Sequence, residues 1–98
     1  MAVLSLVSAD IAPERRDGVV EAYRGMVEAG LPPVIRETFL LVSDDGRVAI
    51  ATVWNTREAL ERVRSGPEEP FARRVLREAG GDPEAQFFDV VAEGASSR

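Results

Sequence analysis

The run Val48-Ala-Ile-Ala-Thr-Val-Trp-Asn-Thr-Arg-Glu-Ala-Leu-Glu-Arg-Val63 decides the fold. Up to Trp54 it is apolar and β-branched, as a strand is. From Asn55 onward the apolar residues Ala59, Leu60 and Val63 recur at helical spacing. Asn55 or Thr56 can cap the helix, because either side chain can accept from a free amide of the first turn. The only tryptophan therefore stands at a strand-to-helix corner.

Upstream, Asp44-Asp45-Gly46 separates this strand from a second β-rich run, Val34 to Ser43, and glycine supplies the positive φ that a hairpin turn needs. Two registers are open. A two-residue turn puts Trp54 opposite Glu37. A three-residue loop puts it opposite Arg36, pairs Thr38 with Thr52, Leu40 with Ile50 and Val42 with Val48, and sets Phe39 beside Ala51. The three-residue loop is favoured, because it matches like residues across the strands.

Residues 2–8 read as a first strand with apolar side chains on both faces. Val19, Val20, Tyr23, Met26 and Val27 then predict a helix over about 13–29, stopped by Gly30 and Pro32-Pro33. Beyond the break at Ser65-Gly66-Pro67, Phe71, Val75 and Leu76 mark a short helix ending at Gly80-Gly81, and residues 86–92 form the last strand. The order is β-α-β-β-α(α)-β. That is the ferredoxin-like α+β arrangement, a four-stranded antiparallel sheet with helices on one face. Residues 1–93 are expected to form one domain, with 94–98 a mobile tail.

The uncovered sheet face draws on strands that are apolar on both sides, including Leu40/Leu41 and Phe87/Phe88. Ninety-eight residues are few to bury such a surface alone. The expected partner is a second copy of the chain, closing that face by two-fold symmetry.

Composition removes several kinds of chemistry. There is no cysteine and no histidine, so neither disulfides, thiolate nucleophiles nor the usual transition-metal ligands are available, and no carboxylate spacing suggests a metal site. Triads that need histidine are excluded. All 12 basic residues are arginine, which excludes Schiff-base chemistry on lysine. A net charge of −5 and a pI near 4.7 argue against nucleic acid or an anionic membrane as partner. No Gly-rich phosphate loop occurs. The opening residues show no basic region before the apolar run, so no signal peptide is expected and the cytoplasm is the expected location.

Trp54 and Asn55 are the catalytic candidates. Indole offers a flat face and one N–H donor; an Asn amide both donates and accepts. Each also has a structural reading, Trp54 as core and Asn55 as cap. Tyr23, on the apolar stripe of the first helix, can add a hydroxyl, and Arg36 a cation, in binding a ligand. Glu37 can add a carboxylate under the two-residue turn.

The corner Trp54-Asn-Thr-Arg-Glu-Ala59 resembles the strand-Trp-x-Ser/Thr-x-Glu-Ala-helix junction of the antibiotic biosynthesis monooxygenase-like family, small α+β domains that pair into a two-chain barrel. In its cofactor-independent members, such a Trp and a neighbouring Asn line a cleft where an electron-rich phenol meets O₂. The resemblance thus implies a homodimeric, cofactor-free monooxygenase acting on an aromatic or polyketide-like metabolite. The chain departs from the haem-degrading branch on two counts. It has Glu61-Arg62-Val63 where that branch carries a ligand histidine, and only Ser5 and Ser8 as polar side chains on the first strand, where that branch uses Asn. The rival readings are a non-catalytic binder of a small aromatic or apolar ligand and, with Glu37 as acid or base, an isomerase or cyclase.

Overall fold

The computed structural model describes residues 1–95. Four strands, β1 (Val3–Asp10), β2 (Ile35–Val42), β3 (Arg47–Trp54) and β4 (Glu84–Asp89), form one antiparallel sheet in the order β2-β3-β1-β4. Three helices, α1 (Arg16–Ala29), α2 (Arg57–Arg64) and α3 (Phe71–Glu78), complete the α+β, ferredoxin-like fold, and a 3₁₀ turn at Pro13–Arg15 leads into α1. The last strand is shorter and earlier than the sequence suggests, since Val90 adds only one further bond, its N–H donating to the Ala2 carbonyl. Of the tail expected at 94–98, residues 96–98 lie outside the described residues.

The β2–β3 hairpin has the three-residue loop. Ser43 and Arg47 close it, Gly46 takes φ +89°, and Thr38–Thr52, Leu40–Ile50 and Val42–Val48 are opposed. One expected pairing fails. Trp54 lies opposite Ile35, not Arg36, because a bulge between Ile35 and Glu37 inserts Arg36 as an extra residue on β2.

Alternation along β1 and β3 turns Val3, Ser5, Val7 and Ala9, with Val48, Ile50, Thr52 and Trp54, toward the helices. There the core divides in two. Val7, Ala9, Val48 and Ile11 pack with Val19 of α1 and Val75 and Leu76 of α3; Val3 and Trp54 pack with Ala59 and Leu60 of α2. Thr56 caps α2, its hydroxyl accepting from the Ala59 amide at 3.1 Å. Helix α3 ends in a glycine stop, Gly80 at φ +92° and the Gly81 amide donating to the Leu76 carbonyl at 2.9 Å.

The opposite face carries Leu4, Leu6, Phe39, Leu41, Ala49, Ala51, Val53 and Phe88. Phe39, Leu41 and Phe88 are each 45–48% exposed. Leu40 and Phe87, paired with these in the sequence, point instead toward the helices.

Candidate functional site

Only Val19 of α1 is buried, although the helix carries an apolar stripe of five residues. Tyr23 and Met26 are half-buried and Val27 is 40% exposed, since the C-terminal half of α1 stands off the sheet beside the edge strand β2. The gap is a groove of about 470 Å³, lined by Tyr23, Val27, Leu31 and Thr38, with the exposed Arg24, Glu28 and Glu37 at its rim. It is a shallow depression, more open than enclosed, so that much of this space is bounded by solvent and not by side chains.

Thr38 continues inward as a row of hydroxyls. Thr38 Oγ1 lies 3.4 Å from Thr52 Oγ1, Thr52 is opposed to Ser5, and Ser5 Oγ accepts from Trp54 Nε1 at 3.0 Å. Ser5 and Thr52 are more than nine-tenths buried. This row runs across the sheet between the two halves of the core, where neither cluster supplies an apolar side chain. Beyond Ser5 it meets Phe87 of β4, over whose ring the Arg64 guanidinium sits at 4.3 Å.

Trp54 itself is 8% exposed and packs among Val3, Ala59, Leu60, Val34, Ile35, Val63 and Phe87. Asn55 is exposed, and its amide Nδ2 donates to the Pro33 carbonyl at 2.9 Å, while its backbone N–H donates to the Val34 carbonyl. It fastens the end of β3 to the segment entering β2; the cap of α2 is Thr56. Arg36, on the bulge, pairs with Glu93. Asp89 accepts from Arg57 at 2.5 Å and holds the Arg57 guanidinium above its ordinary pKa. Among the described residues no three His, Cys, Asp or Glu side chains converge on one point.

Known structures share this fold over nearly the whole chain. An antibiotic biosynthesis monooxygenase structure is 22% identical, covering 92% of this chain and 99% of its own with a TM-score of 0.66. The fold is that of the antibiotic biosynthesis monooxygenases. A variant of SnoaB, a cofactor-independent oxygenase from Streptomyces nogalater, has a TM-score of 0.67 at 13% identity, covering 94% of this chain and 95% of its own. NE2512 from Nitrosomonas europaea, a protein of unknown function, has a TM-score of 0.72 at 10% identity over 99% of this chain and 96% of its own. No protein-family model and no curated protein matches the sequence.

Within this monooxygenase-type fold, the groove brings together two of the residues singled out in the sequence, Tyr23 and Glu37. Trp54, Asn55 and Arg36 do not line it. Glu37 reaches the groove as an edge-strand residue, while its register position opposite Val53 belongs to the uncovered sheet face. Sequence reasoning did not single out the buried hydroxyls of Ser5 and Thr52. Their signal was present: Ser5 between Val3 and Val7, and Thr52 between Ile50 and Trp54, are hydroxyls at positions whose alternation points them into the core.

Proposed function

We propose that the chain is a small-molecule oxygenase that takes an aromatic, polyketide-like ligand into the groove between α1 and β2 and oxidises it with O₂ alone. The observation that carries this reading is the groove itself, an apolar space between helix and sheet leading to buried hydroxyls, in a fold that it shares with a cofactor-independent oxygenase. Tyr23, Val27 and Leu31 give flat and aliphatic surface for a fused ring, and Thr38 gives a polar point at the inner wall. A substrate such as anthrone supplies its own electrons. Its enol loses a proton, the carbanion reduces O₂, a C–O bond forms at the former methylene carbon, and loss of water leaves anthraquinone. One oxygen atom stays in the product and the other leaves as water with the two methylene hydrogens.

The same reading makes the chain a homodimer through its helix-free sheet face. Phe39, Leu41 and Phe88, with Leu4, Leu6 and Val53 between them, form an apolar patch of the kind that marks an association surface.

One observation favours a non-catalytic binder on this fold. The N–H of Trp54 is committed to Ser5 and the amide of Asn55 to Pro33, so neither is directed at a ligand in the groove. Oxygen consumption separates the two. With purified protein, anthrone and an oxygen electrode, the oxygenase consumes one O₂ per anthraquinone formed, faster than buffer alone. A protein that binds anthrone with no increase in uptake is the binder.

A further inference from the structure

We propose that residues 90–93 form a strap that crosses the end of the sheet from one edge to the other and latches in cis on Arg36, a latch that salt opens. Neither the groove nor a second copy of the chain is needed for it. In the sheet, β4 is one edge strand and β2 the other, with β3 and β1 between them. Asp89 ends β4 opposite Val3, yet Glu93 pairs with Arg36 on β2. Three strand spacings of about 4.8 Å come to about 14 Å, and the extended chain from Asp89 to Glu93, at about 3.4 Å per residue, spans the same distance. A chain with little slack, met by the long Arg36 side chain, therefore passes across the ends of β1 and β3.

Its fastenings follow that path. At the start, Asp89 accepts from Arg57, the first residue of α2, at 2.5 Å. The Val90 N–H then donates to the Ala2 carbonyl at 2.9 Å, and Ala2 is buried. At the far edge Glu93 accepts from Arg36. Nothing apolar reinforces this far half, since Val91 is 83% exposed and residues 91–95 are all exposed. Strand β2 is built to supply the catch. In a regular strand Arg36 would stand opposite Trp54, and alternation would turn its guanidinium into the cluster of Val3, Trp54, Ala59 and Leu60. The bulge puts Ile35 in that place, where it packs against the cluster, and leaves Arg36 free to meet the strap.

The side chains of Arg36 and Glu93 are 40% and 62% exposed. A pair so exposed contributes little and is screened by salt, so the latch holds loosely and opens as ionic strength rises. When it opens, the single Val90–Ala2 bond frays, whereas the middle of β1, paired with β3 on one side and β4 on the other, does not. Closed in cis, the strap keeps the C-terminal segment on its own chain, so that a second copy meets the helix-free face without exchanging this segment.

The chain has no cysteine, so a pair introduced by Arg36→Cys and Glu93→Cys is the only one present. Treated with o-phenylenedimaleimide, which bridges thiols too far apart for a disulfide, this double variant should give a single-chain species carrying one linker with both ends spent. Asp44→Cys/Glu93→Cys, in the hairpin loop at the other end of β2, is the control and should not link. A two-chain band on a denaturing gel would show exchange between copies and overturn the latch in cis; separately modified cysteines, or equal linking in the control, would overturn the crossing itself. Amide hydrogen exchange, followed by ¹H–¹⁵N spectra of wild type, Arg36→Gln and Glu93→Gln, reads the salt dependence. In wild type, about 1 M sodium chloride should speed exchange of the Val90 amide about two- to fivefold, as loss of one exposed ion pair gives. Either substitution should produce the same acceleration at low salt and abolish the salt effect, with the Val7 amide unchanged. A Val90 amide that exchanges at one rate in all three proteins and at both salt concentrations would overturn the latch. Each of these failures leaves the groove reading as it stands.

Discussion

Replacing Trp54 by Phe tests how the corner is built. Trp54 is 8% exposed, lies among seven apolar side chains, and gives its N–H to a serine that is itself 6% exposed. Phenylalanine keeps one ring and loses the other. At about 0.8 kcal/mol per buried methylene equivalent, the missing atoms are worth about 2 kcal/mol, and the lost hydrogen bond adds about 1 kcal/mol. The expected destabilisation is about 3 kcal/mol, close to the lower end of the roughly 3–5 kcal/mol for truncating a buried Trp to Ala. For a domain of this size that lowers Tm by more than about 10 °C. Urea unfolding at one fixed protomer concentration measures it, since self-association would otherwise shift the result. A double-mutant cycle with Ser5→Ala isolates the bond: Ser5→Ala should cost about 1 kcal/mol less in the Trp54→Phe background than in wild type. A Trp54→Phe loss below about 1 kcal/mol, with Ser5→Ala costing the same in both backgrounds, would refute the account of this corner.

Other perturbations probe other parts of the fold. Leu6→Asp places a charge at the centre of the helix-free face, beside Ala51, and should turn the proposed dimer into a monomer in sedimentation at micromolar concentration. A Cβ on Gly81 would come within 2.7 Å of Ile11 Cδ1 and 2.8 Å of Ala9 Cβ, so Gly81→Ala should cost about 1–3 kcal/mol in the same urea assay. The Arg77 guanidinium bonds Glu69 and holds its carboxyl below the ordinary value of 4.5. A depressed folded pKa stabilises above the unfolded pKa and is lost as pH falls through the folded one. Glu69→Gln should therefore flatten the loss of stability below about pH 4.5, with little change in the slope at neutral pH.

The architecture was legible because its signals are local and mutually consistent. Asp44-Asp45-Gly46 has the chemistry of a three-residue hairpin loop, the helical spacing of Ala59, Leu60 and Val63 follows directly on a β-branched run, and Gly80-Gly81 closes α3 as a glycine stop does. The bulge was not legible. An extra residue at Arg36 leaves no mark in composition or alternation, because Ile35, Arg36 and Glu37 read equally well as regular strand, yet it moves Ile35 opposite Trp54. The groove was half legible. The apolar stripe of α1 announces Tyr23 and Val27, but periodicity states only that these residues seek cover, and whether the helix lies on the sheet or stands off it depends on packing between distant elements. The hydroxyl row needs the register of three strands at once, since Thr38, Thr52 and Ser5 are neighbours only across the sheet. Trp54 shows the limit of reading a residue by its type: the sequence marks it as unusual, and the fold commits its N–H to a serine 49 positions away.

The most direct test of the central claim is to locate a bound aromatic ligand. In a ¹H–¹⁵N spectrum of assigned protein titrated with 9-fluorenone, saturable shifts should cluster at Tyr23, Val27, Leu31 and Thr38 and extend to Thr52, leaving the amides around Phe39, Leu41 and Phe88 unmoved. Shifts confined to the helix-free sheet face, or none at the solubility limit of the probe, would contradict a ligand site between α1 and β2.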